Sequence, residues 1–367
     1  MSKIIPCLKK ISKAYCAPYR KGFVLDELIF FVTYKCNFRC KTCFYGEVMD
    51  NYAKNAQKEL SIDEIKKISL SIGVFKHLLI SGGEPFLRDD LVEICRVFCQ
   101  QNKIIGIHLP TNGFDTEKIY TYTRKILEQC PQIYLSLSLS LDGLEETHDK
   151  IKGVRGSFAK VVETARRIAT LKKEFKRLSI SIITVVNKLN LNEIMKLTEF
   201  VRDELPVDEH GPSPMRGEPY DTTFLPPSYK EWDELAKKLL EYHRHWNKKN
   251  TDTETKHFLA TEKVKYVYDL YTRVLKGGKL PFRCQAGNII GVLEPNGEVR
   301  LCELTEAIGN VRSTNYDFRK LWLSDSANKM RKKIKGCSCT HACFIGPSVE
   351  LYLPALIRFY FSKICKE

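Results

Sequence analysis

Between residues 28 and 204, this 367-residue chain alternates repeatedly between apolar runs and amphipathic segments. Runs such as LIFFVTY (28–34) and HLLIS (77–81) have the composition of strands that are buried on both faces. The segments between them have helical periodicity, and one opens with the capping-box sequence Ser61-Ile-Asp-Glu. Strand–helix alternation repeated about five or six times predicts an α/β fold with a parallel sheet, either doubly wound or a partial barrel.

The same pattern predicts where the individual elements lie. A helix runs from the Ser61 cap to about Ile72, and Ser157 is expected to cap a long amphipathic helix. The dipeptide Asn296-Gly297 between two apolar runs predicts a β-hairpin. Further strands are expected at 77–81, 106–110, 133–141 and 178–186, helices at 89–100, 116–128, 192–204 and, as a charged pair, 229–276, and a loop at 206–227.

Cysteine content and charge limit the class of protein. The chain has 14 cysteines, yet its N-terminal sequence MSKIIPCLKK lacks the long apolar core and cleavage site of a secretion signal. Clustered cysteines in an intracellular protein more often bind metal than form disulfides, so we expect a reducing cytoplasm. The formal charge of +15 favours acidic partners such as an anionic membrane face, nucleic acid or an acidic peptide. No apolar run of about 18 residues predicts a transmembrane helix.

Three cysteines follow the first predicted strand directly. Cys36, Cys40 and Cys43 lie within eight residues and can hold one face of a four-iron cluster, which leaves one iron without a protein ligand. An open iron can chelate a small molecule and pass it an electron. The alternatives are a zinc loop or ordinary buried cysteines, but three thiolates make an incomplete structural zinc site.

The second strand ends in a motif that fits the same interpretation. HLLIS runs into Gly82-Gly83-Glu84-Pro85, where two glycines and an acceptor at a strand tip allow close approach to an ammonium group. With the CxxxCxxC spacing, this GGEP sequence resembles the radical S-adenosylmethionine (SAM) superfamily over roughly residues 27–220. The resemblance implies a partial (β/α)6 TIM-like barrel, a 4Fe-4S cluster on Cys36, Cys40 and Cys43, and SAM on the open iron.

The resemblance also implies SAM-binding positions at the strand ends. The sequence SLDGLEETHDKIKGVRGSFAKVVE looks like the SAM-contacting segment of the peptide-modifying branches of the superfamily. Arg155 is a candidate bidentate donor to a carboxylate, with a surface position as the alternative. The implied set comprises Gly82, Gly83, Glu84 and Pro85 for the methionine amino group, Ser140 and Asp142 for ribose or carboxylate, Asn187 for ribose, and Thr111 and Asn112 on the same rim.

Five cysteines return near the C-terminus and predict a second metal site. Cys284 and Cys302 bracket Gly297 with twelve and four intervening residues, and Cys337, Cys339 and Cys343 follow. This part resembles the SPASM/twitch extension of radical SAM enzymes, which implies one auxiliary iron–sulfur cluster, since the full SPASM pattern has seven cysteines for two clusters. Cys284 and Cys302 are expected ligands with two of the later three, Cys343 foremost. The alternative is a structural zinc site with four cysteines or with three cysteines and a histidine. His341 is a candidate ligand, but a hydrogen-bonded position at the surface is favoured for it.

Five segments are predicted along the chain. They are a basic amphipathic segment at 1–26, a radical SAM barrel at 27–220, a charged helical linker at 221–280, a small cysteine-rich α+β cluster domain at 281–345 and an apolar tail at 346–367. The basic N-terminus and the apolar tail together are candidates for a peripheral membrane contact, with a helix packed on the protein as the alternative for the tail.

The predicted activity is reductive cleavage of SAM to a 5′-deoxyadenosyl radical that abstracts a substrate hydrogen. A peptide or protein side chain is the favoured substrate, and the alternative is oxidation or epimerisation of a small molecule such as a sugar, an aminocyclitol or a cofactor precursor. The expected reductant is a flavodoxin or ferredoxin. A second hypothesis from another class is a zinc-containing nucleic-acid-binding protein, which the basic charge favours and the cysteine spacing disfavours.

Overall fold

The computed structural model describes residues 22–51, 58–250 and 253–364. The predicted basic N-terminal helix lies outside these residues. The chain divides into two compact units. The larger contains Leu25–Pro226 and Ala286–Lys332, and the smaller contains Pro227–Gln285 and the segment from Lys333 onward.

Among the described residues, nine strands form one sheet in the order β6-β5-β4-β3-β2-β1-β7-β8-β9. The strands are β1 (Glu27–Phe31), β2 (His77–Ser81), β3 (Gly106–Thr111), β4 (Tyr134–Ser140), β5 (Leu178–Val186), β6 (Glu209–Pro214), β7 (Ile290–Leu293), β8 (Glu298–Arg300) and β9 (Gly309–Asn310). Strands β1 to β6 are parallel and consecutive, which is the partial (β/α)6 barrel that the strand–helix alternation and the resemblance predicted.

At least one helix lies between each pair of successive strands from β1 to β6, as the connections between parallel strands require. Among the described residues, the helices are α1 (Gly46–Asp50), α2 (Ile62–Ile72), α3 (Leu91–Asn102), α4 (Thr116–Gln129), α5 (Glu145–Lys152), α6 (Ser157–Ala169), α7 (Ile194–Glu204), α8 (Tyr229–Asn250), α9 (Glu254–Leu275), α10 (Phe318–Trp322), α11 (Asp325–Lys333), α12 (Ala342–Glu350) and α13 (Leu353–Ile364). The Ser61 capping box at the start of α2 is confirmed, with both of its reciprocal hydrogen bonds present.

Strand β4 shows how the barrel separates its two faces. Its sequence YLSLSLS alternates fully buried leucines with half-buried serines. Leu139 lies beside Val161 of α6, so the leucines pack against the outer helices. The serines lie on the opposite face, where Ser138 and Ser181 share a hydrogen bond of 2.9 Å between their hydroxyl oxygens. The interior of the barrel is therefore lined with small polar groups at this point.

Two local predictions for the barrel are wrong. The loop expected at 206–227 contains β6, whose sequence EHGPSP pairs with β5 from Ser181↔Glu209 to Val186↔Pro214. The prolines predicted a loop because proline has no amide hydrogen to donate to a neighbouring strand. An edge strand such as β6 tolerates proline, since one side of its backbone needs no partner. Ser157 is not the cap of α6, because Gly156 occupies that position with a φ of +79°. The Asp149 carboxylate accepts the hydrogen bonds of the Ser157 hydroxyl and the Phe158 amide instead.

The C-terminal cysteine-rich region divides differently from the predicted 281–345 domain. The hairpin at Asn296-Gly297 is confirmed, and β7 and β8 pair antiparallel across it. Strand β7 also pairs in parallel with β1, from Glu27↔Ile290 to Phe30↔Leu293, and so extends the barrel sheet. Residues Ala286–Lys332 therefore belong to the barrel unit, whereas Cys284 and the last three cysteines of the predicted site belong to the smaller unit.

Candidate functional site

The cysteine loop that follows β1 presents three free thiols. Cys36, Cys40 and Cys43 are half-buried and form no disulfide. The amide of Phe38 donates to Cys36 Sγ at 3.4 Å, and the amide of Tyr45 donates to the Cys43 thiol. Amide donors directed at sulfur are what the thiolate ligands of an iron–sulfur cluster accept. The donor set thus fits the cluster that the spacing predicted.

Burial controls the protonation of these thiols. It raises the pKa of Cys36 to about 12, that of Cys40 to about 11, and that of Cys43 above its usual value. The nearby Lys152 ammonium opposes this rise at Cys40 and Cys43. Since the thiolate is the metal ligand, cluster binding must release protons from this loop.

The GGEP turn packs directly onto the cysteine loop. The amide of Gly83 donates to Thr33 O at 2.9 Å, and the amide of Glu84 donates to Lys35 O at 2.7 Å. A Cβ atom on Gly82 would lie 2.5 Å from Thr33 O, and one on Gly83 would lie 2.0 Å from Lys35 O. Both glycines are therefore required for the backbone of the turn to approach the residues just before Cys36.

The Glu84 side chain connects the tips of β2 and β3. Its buried carboxylate accepts hydrogen bonds from Thr111 Oγ1 at 2.8 Å, from the amide of Asn112 at 2.7 Å and from the amide of Phe86 at 3.2 Å. Burial raises the pKa of Glu84 to about 7, although these donors oppose the rise. Asn112 Nδ2 in turn donates to Asn37 Oδ1 in the cysteine loop at 2.7 Å. Glu84, Thr111 and Asn112, all predicted site residues, therefore form one cluster with the cysteine loop.

The other predicted SAM contacts lie at the ends of β4 and β5. Ser140 is the last residue of β4 and is half-buried. Asp142 is buried, and its carboxylate accepts from Lys152 Nζ at 2.7 Å and from the amide of Val185 at 2.8 Å. Asn187 is buried and its side chain accepts from the amide of Leu189, so it stabilises its own turn. Arg155 is exposed between α5 and α6. Pro85 is buried at the start of a single 3-10 turn.

Two residues near this cluster were not predicted. Lys152 is buried in the last turn of α5, and Asn190 donates to Asp142 O at 2.6 Å. The sequence did signal α5, since Gly153 follows Lys150 and Lys152 as a C-terminal glycine follows basic residues in many helices.

In the smaller unit, four of the predicted auxiliary ligands lie on two segments that are hydrogen-bonded to each other. The amide of Leu280 donates to Ser338 Oγ at 3.0 Å, and the amide of Gln285 donates to Ser348 Oγ at 3.1 Å. A hydrogen bond between Cys337 and Cys339 lowers the pKa of Cys337 and raises that of Cys339. The Cys284 thiol acts electrostatically on Cys339 as well. Cys343 is the second residue of α12 and is half-buried, and Cys302 lies in the barrel unit just after β8.

The prediction that His341 lies at the surface is wrong. Its side chain is fully buried, and its ring meets the Phe344 ring edge-on with 4.8 Å between the centroids. It is the residue before α12, and the amides of Phe344 and Ile345 donate to its carbonyl. Its burial follows from the apolar first turn of α12, a helix that the sequence pattern did not predict.

Comparison with known proteins places the site in a family. Residues 30–201 match the model of the radical SAM superfamily, and the matched region contains the cysteine loop and the GGEP turn. These residues belong to the radical SAM superfamily. It is 27% identical over 176 residues to the Fe-coproporphyrin III synthase of Methanosarcina barkeri, an alignment that covers 47% of this chain and 40% of that protein. It is 30% identical over 227 residues to the AdoMet-dependent heme synthase of the same organism, covering 59% of this chain and 55% of that protein.

The fold of this radical SAM protein is similar to that of a solved structure over most of its length. Native anSMEcpe with bound AdoMet and Cp18Cys peptide superposes with a TM-score of 0.57 at 17% identity, covering 94% of this chain and 98% of that chain. The curated relatives are matched over about half of their length only. Membership of a superfamily of enzymes favours the iron–sulfur interpretation of the cysteine loop over the zinc-loop alternative.

Membrane contact has one structural observation that bears on it. Within the described residues no single helix is long and apolar enough to cross a bilayer. By length and composition alone, α12 and Leu353–Phe359 of α13 together would be long and apolar enough, but the two helices meet at an angle of 73°.

The close approach of Gly83 to the cysteine loop generates a first prediction. Gly83→Ala places a methyl group against Lys35 O, and we expect it to lower the free energy of unfolding by about 1–3 kcal/mol and to reduce the iron bound after anaerobic reconstitution. Gly211→Ala is the matched control, because a Cβ atom there has no neighbour nearer than 3.9 Å. Iron analysis and thermal unfolding measure the two effects. Equal iron content in the two variants would contradict this packing of the turn on the loop.

Proposed function

We propose that this chain is a radical SAM enzyme that modifies a peptide or protein side chain. One observation carries the proposal: three free thiols on one loop are held against a glycine–glycine–glutamate turn, so that a cluster and its ligand would share one edge of the barrel. Cys36, Cys40 and Cys43 would hold three irons of a 4Fe-4S cluster and leave the fourth for SAM.

When bound, the cluster and SAM supply a one-electron cleavage of the SAM carbon–sulfur bond and a 5′-deoxyadenosyl radical that takes a hydrogen atom from the substrate. The chain's own residues would bind and orient SAM and the substrate. Backbone groups of Gly82 and Gly83 and the carboxylate of Glu84 would receive the methionine amino group beside the cysteine loop, onto which this turn packs. The polar face that carries Ser138 and Ser140 would line the substrate side, and the leucines on the other face exclude water from the wall of the barrel.

The favoured substrate class rests on how much of the chain each similar protein matches. The anSMEcpe structure, which contains a bound peptide, matches 94% of this chain, and this favours a peptide or protein substrate. The Fe-coproporphyrin III synthase and heme synthase relatives keep a small-molecule substrate of the cofactor-precursor class as the second candidate. Those alignments cover only about half of each relative, so the peptide is the better-supported candidate.

An auxiliary iron–sulfur cluster is part of the proposal. Cys284 and Cys302 with two of Cys337, Cys339 and Cys343 would hold it. Two observations support this assignment. All five cysteines are described residues outside any disulfide, and the segment that contains Cys284 is hydrogen-bonded to the segment that contains Cys337, Cys339 and Cys343. Such a cluster would take up the electron that remains on a substrate radical after oxidation, or would bind the substrate.

The reductant and location complete the proposal. A flavodoxin or ferredoxin in a reducing cytoplasm would supply the electron, and the basic N-terminal segment with the apolar tail would give a peripheral membrane contact. The charge of +15 supports both, since flavodoxin-type donors and membrane faces are acidic.

Removal of the three thiols tests the central activity. After anaerobic reconstitution with iron and sulfide and reduction by dithionite, we expect the wild type to form 5′-deoxyadenosine from SAM. Cys36→Ala, Cys40→Ala and Cys43→Ala should each reduce that product to background, because the open iron is lost. Cys95→Ala is the matched control, since Cys95 is a buried helical cysteine far along the chain from both groups. SAM cleavage that survives in the three variants would reject the proposal.

A second set of variants tests the auxiliary cluster. Cys284→Ala and Cys339→Ala should lower the bound iron by about four atoms per chain and leave 5′-deoxyadenosine formation by the first site in place. Cys130→Ala, a buried cysteine of the barrel, should keep the full iron content. Zinc in place of iron at these cysteines in the wild type would show that they form a structural zinc site and not an auxiliary cluster.

Isotope transfer tests the substrate class. Peptides encoded beside this gene, made with deuterated residues, should transfer deuterium into 5′-deoxyadenosine, because hydrogen abstraction marks that product. Deuterated coproporphyrin is the comparison. Transfer from the porphyrin alone would favour the small-molecule alternative.

A further inference from the structure

A buried lysine lies beside the cysteine loop and takes no part in the proposed binding of the cluster or SAM. Lys152 is 5% exposed, although it ends α5 next to a surface turn. Its ammonium lies 2.7 Å from Asp142 Oδ2, and Asp142 is 1% exposed. The attraction between two buried charges offsets the cost of removing them from water only when their pairing geometry is good. A buried ion pair is therefore weak evidence that the pair stabilises the fold.

The Asp142 carboxylate is fixed from several directions. Its Oδ1 accepts from the amide of Val185 at 2.8 Å, while its own amide donates to His148 Nδ1 at 3.0 Å. Asn190 Nδ2 donates to the Asp142 carbonyl at 2.6 Å. These contacts come from β5, α5 and the loop after β5. The carboxylate therefore defines one position for the lysine ammonium.

The cysteine loop rests on the same turn of α5. The amide of Lys41 donates to Ile151 O at 2.8 Å, and a Cβ atom on Gly153 would lie 3.3 Å from Arg39 O. Residues 39–41 are thus in contact with both neighbours of Lys152. Lys152 therefore carries a buried positive charge at the turn of α5 against which the cysteine loop packs.

We propose that Lys152, held by Asp142, is a positioning residue whose charge raises the reduction potential of the cluster on Cys36, Cys40 and Cys43. The inference rests on the proposed function, since it requires that cluster. Reduction adds one negative charge beside the ammonium, and a fixed positive charge in a region of low dielectric favours the reduced form. Asp142 accordingly serves to hold the lysine, a role that the sequence motif did not predict for it.

A potentiometric titration tests the inference without reference to turnover. Wild type and Lys152→Met are reconstituted anaerobically, and the one-electron reduction of the cluster by dithionite is followed by electron paramagnetic resonance in the presence of redox mediators. We expect the ratio of reduced to oxidised cluster in Lys152→Met to fall at least tenfold at a given potential, which is about 59 mV for one electron. Lys152→Arg should restore the wild-type potential.

Matched variants separate this effect from folding and from surface charge. Lys160→Met removes an exposed lysine of α6 that pairs with Glu163, and it should leave the potential unchanged. Asp142→Asn combined with Lys152→Met leaves no unpaired buried charge, so it tests the inference if Lys152→Met alone does not fold, and its potential should lie below that of the wild type. A wild-type potential in every folded Lys152→Met variant would overturn the inference. Absence of a reducible cluster from the wild type would instead reject the proposed function.

Discussion

Everything at this site depends on one close contact between backbones. The turn after β2 can reach the loop after β1 only because Gly82 and Gly83 have no Cβ atoms to meet Thr33 O and Lys35 O. Glu84 then adds the tip of β3 through Thr111 and Asn112, and Asn112 returns to the cysteine loop through Asn37. Three strand ends and the thiol loop are thereby held as one unit. The cysteines provide ligands, but the glycines and the buried carboxylate decide where those ligands lie.

The barrel itself was largely predictable. Strands such as HLLIS and LSISIITVV were located to the residue, because parallel strands buried on both faces occur in sequence as short apolar runs with turns at each end. The errors have physical causes. Strand β6 is stabilised by pairing with β5 and not by its own composition, and the start of α6 is capped by a distant carboxylate from α5. Tertiary contacts of this kind are not visible in a local pattern.

The candidate site was predictable to a different degree in its two halves. The spacing of Cys36, Cys40 and Cys43 and the GGEP sequence are sufficient by themselves to indicate a cluster and its ligand. The contacts of Asp142 were not predictable, because Lys152 and the amide of Val185 reach its carboxylate from two other elements, α5 and β5. The C-terminal cysteines were grouped as a set, but β7 joins the barrel sheet, so that Cys302 and Cys284 fall in different units.

Electron–nuclear double resonance on the reduced, reconstituted protein tests whether one iron of the cluster remains open to SAM. SAM labelled with nitrogen-15 in the amino group and oxygen-17 in the carboxylate would be added before freezing. Chelation at the open iron predicts hyperfine coupling from both labels to the cluster, and its loss in Cys40→Ala. A reduced cluster that forms, binds SAM and shows no coupling to either label would contradict the assignment of this site.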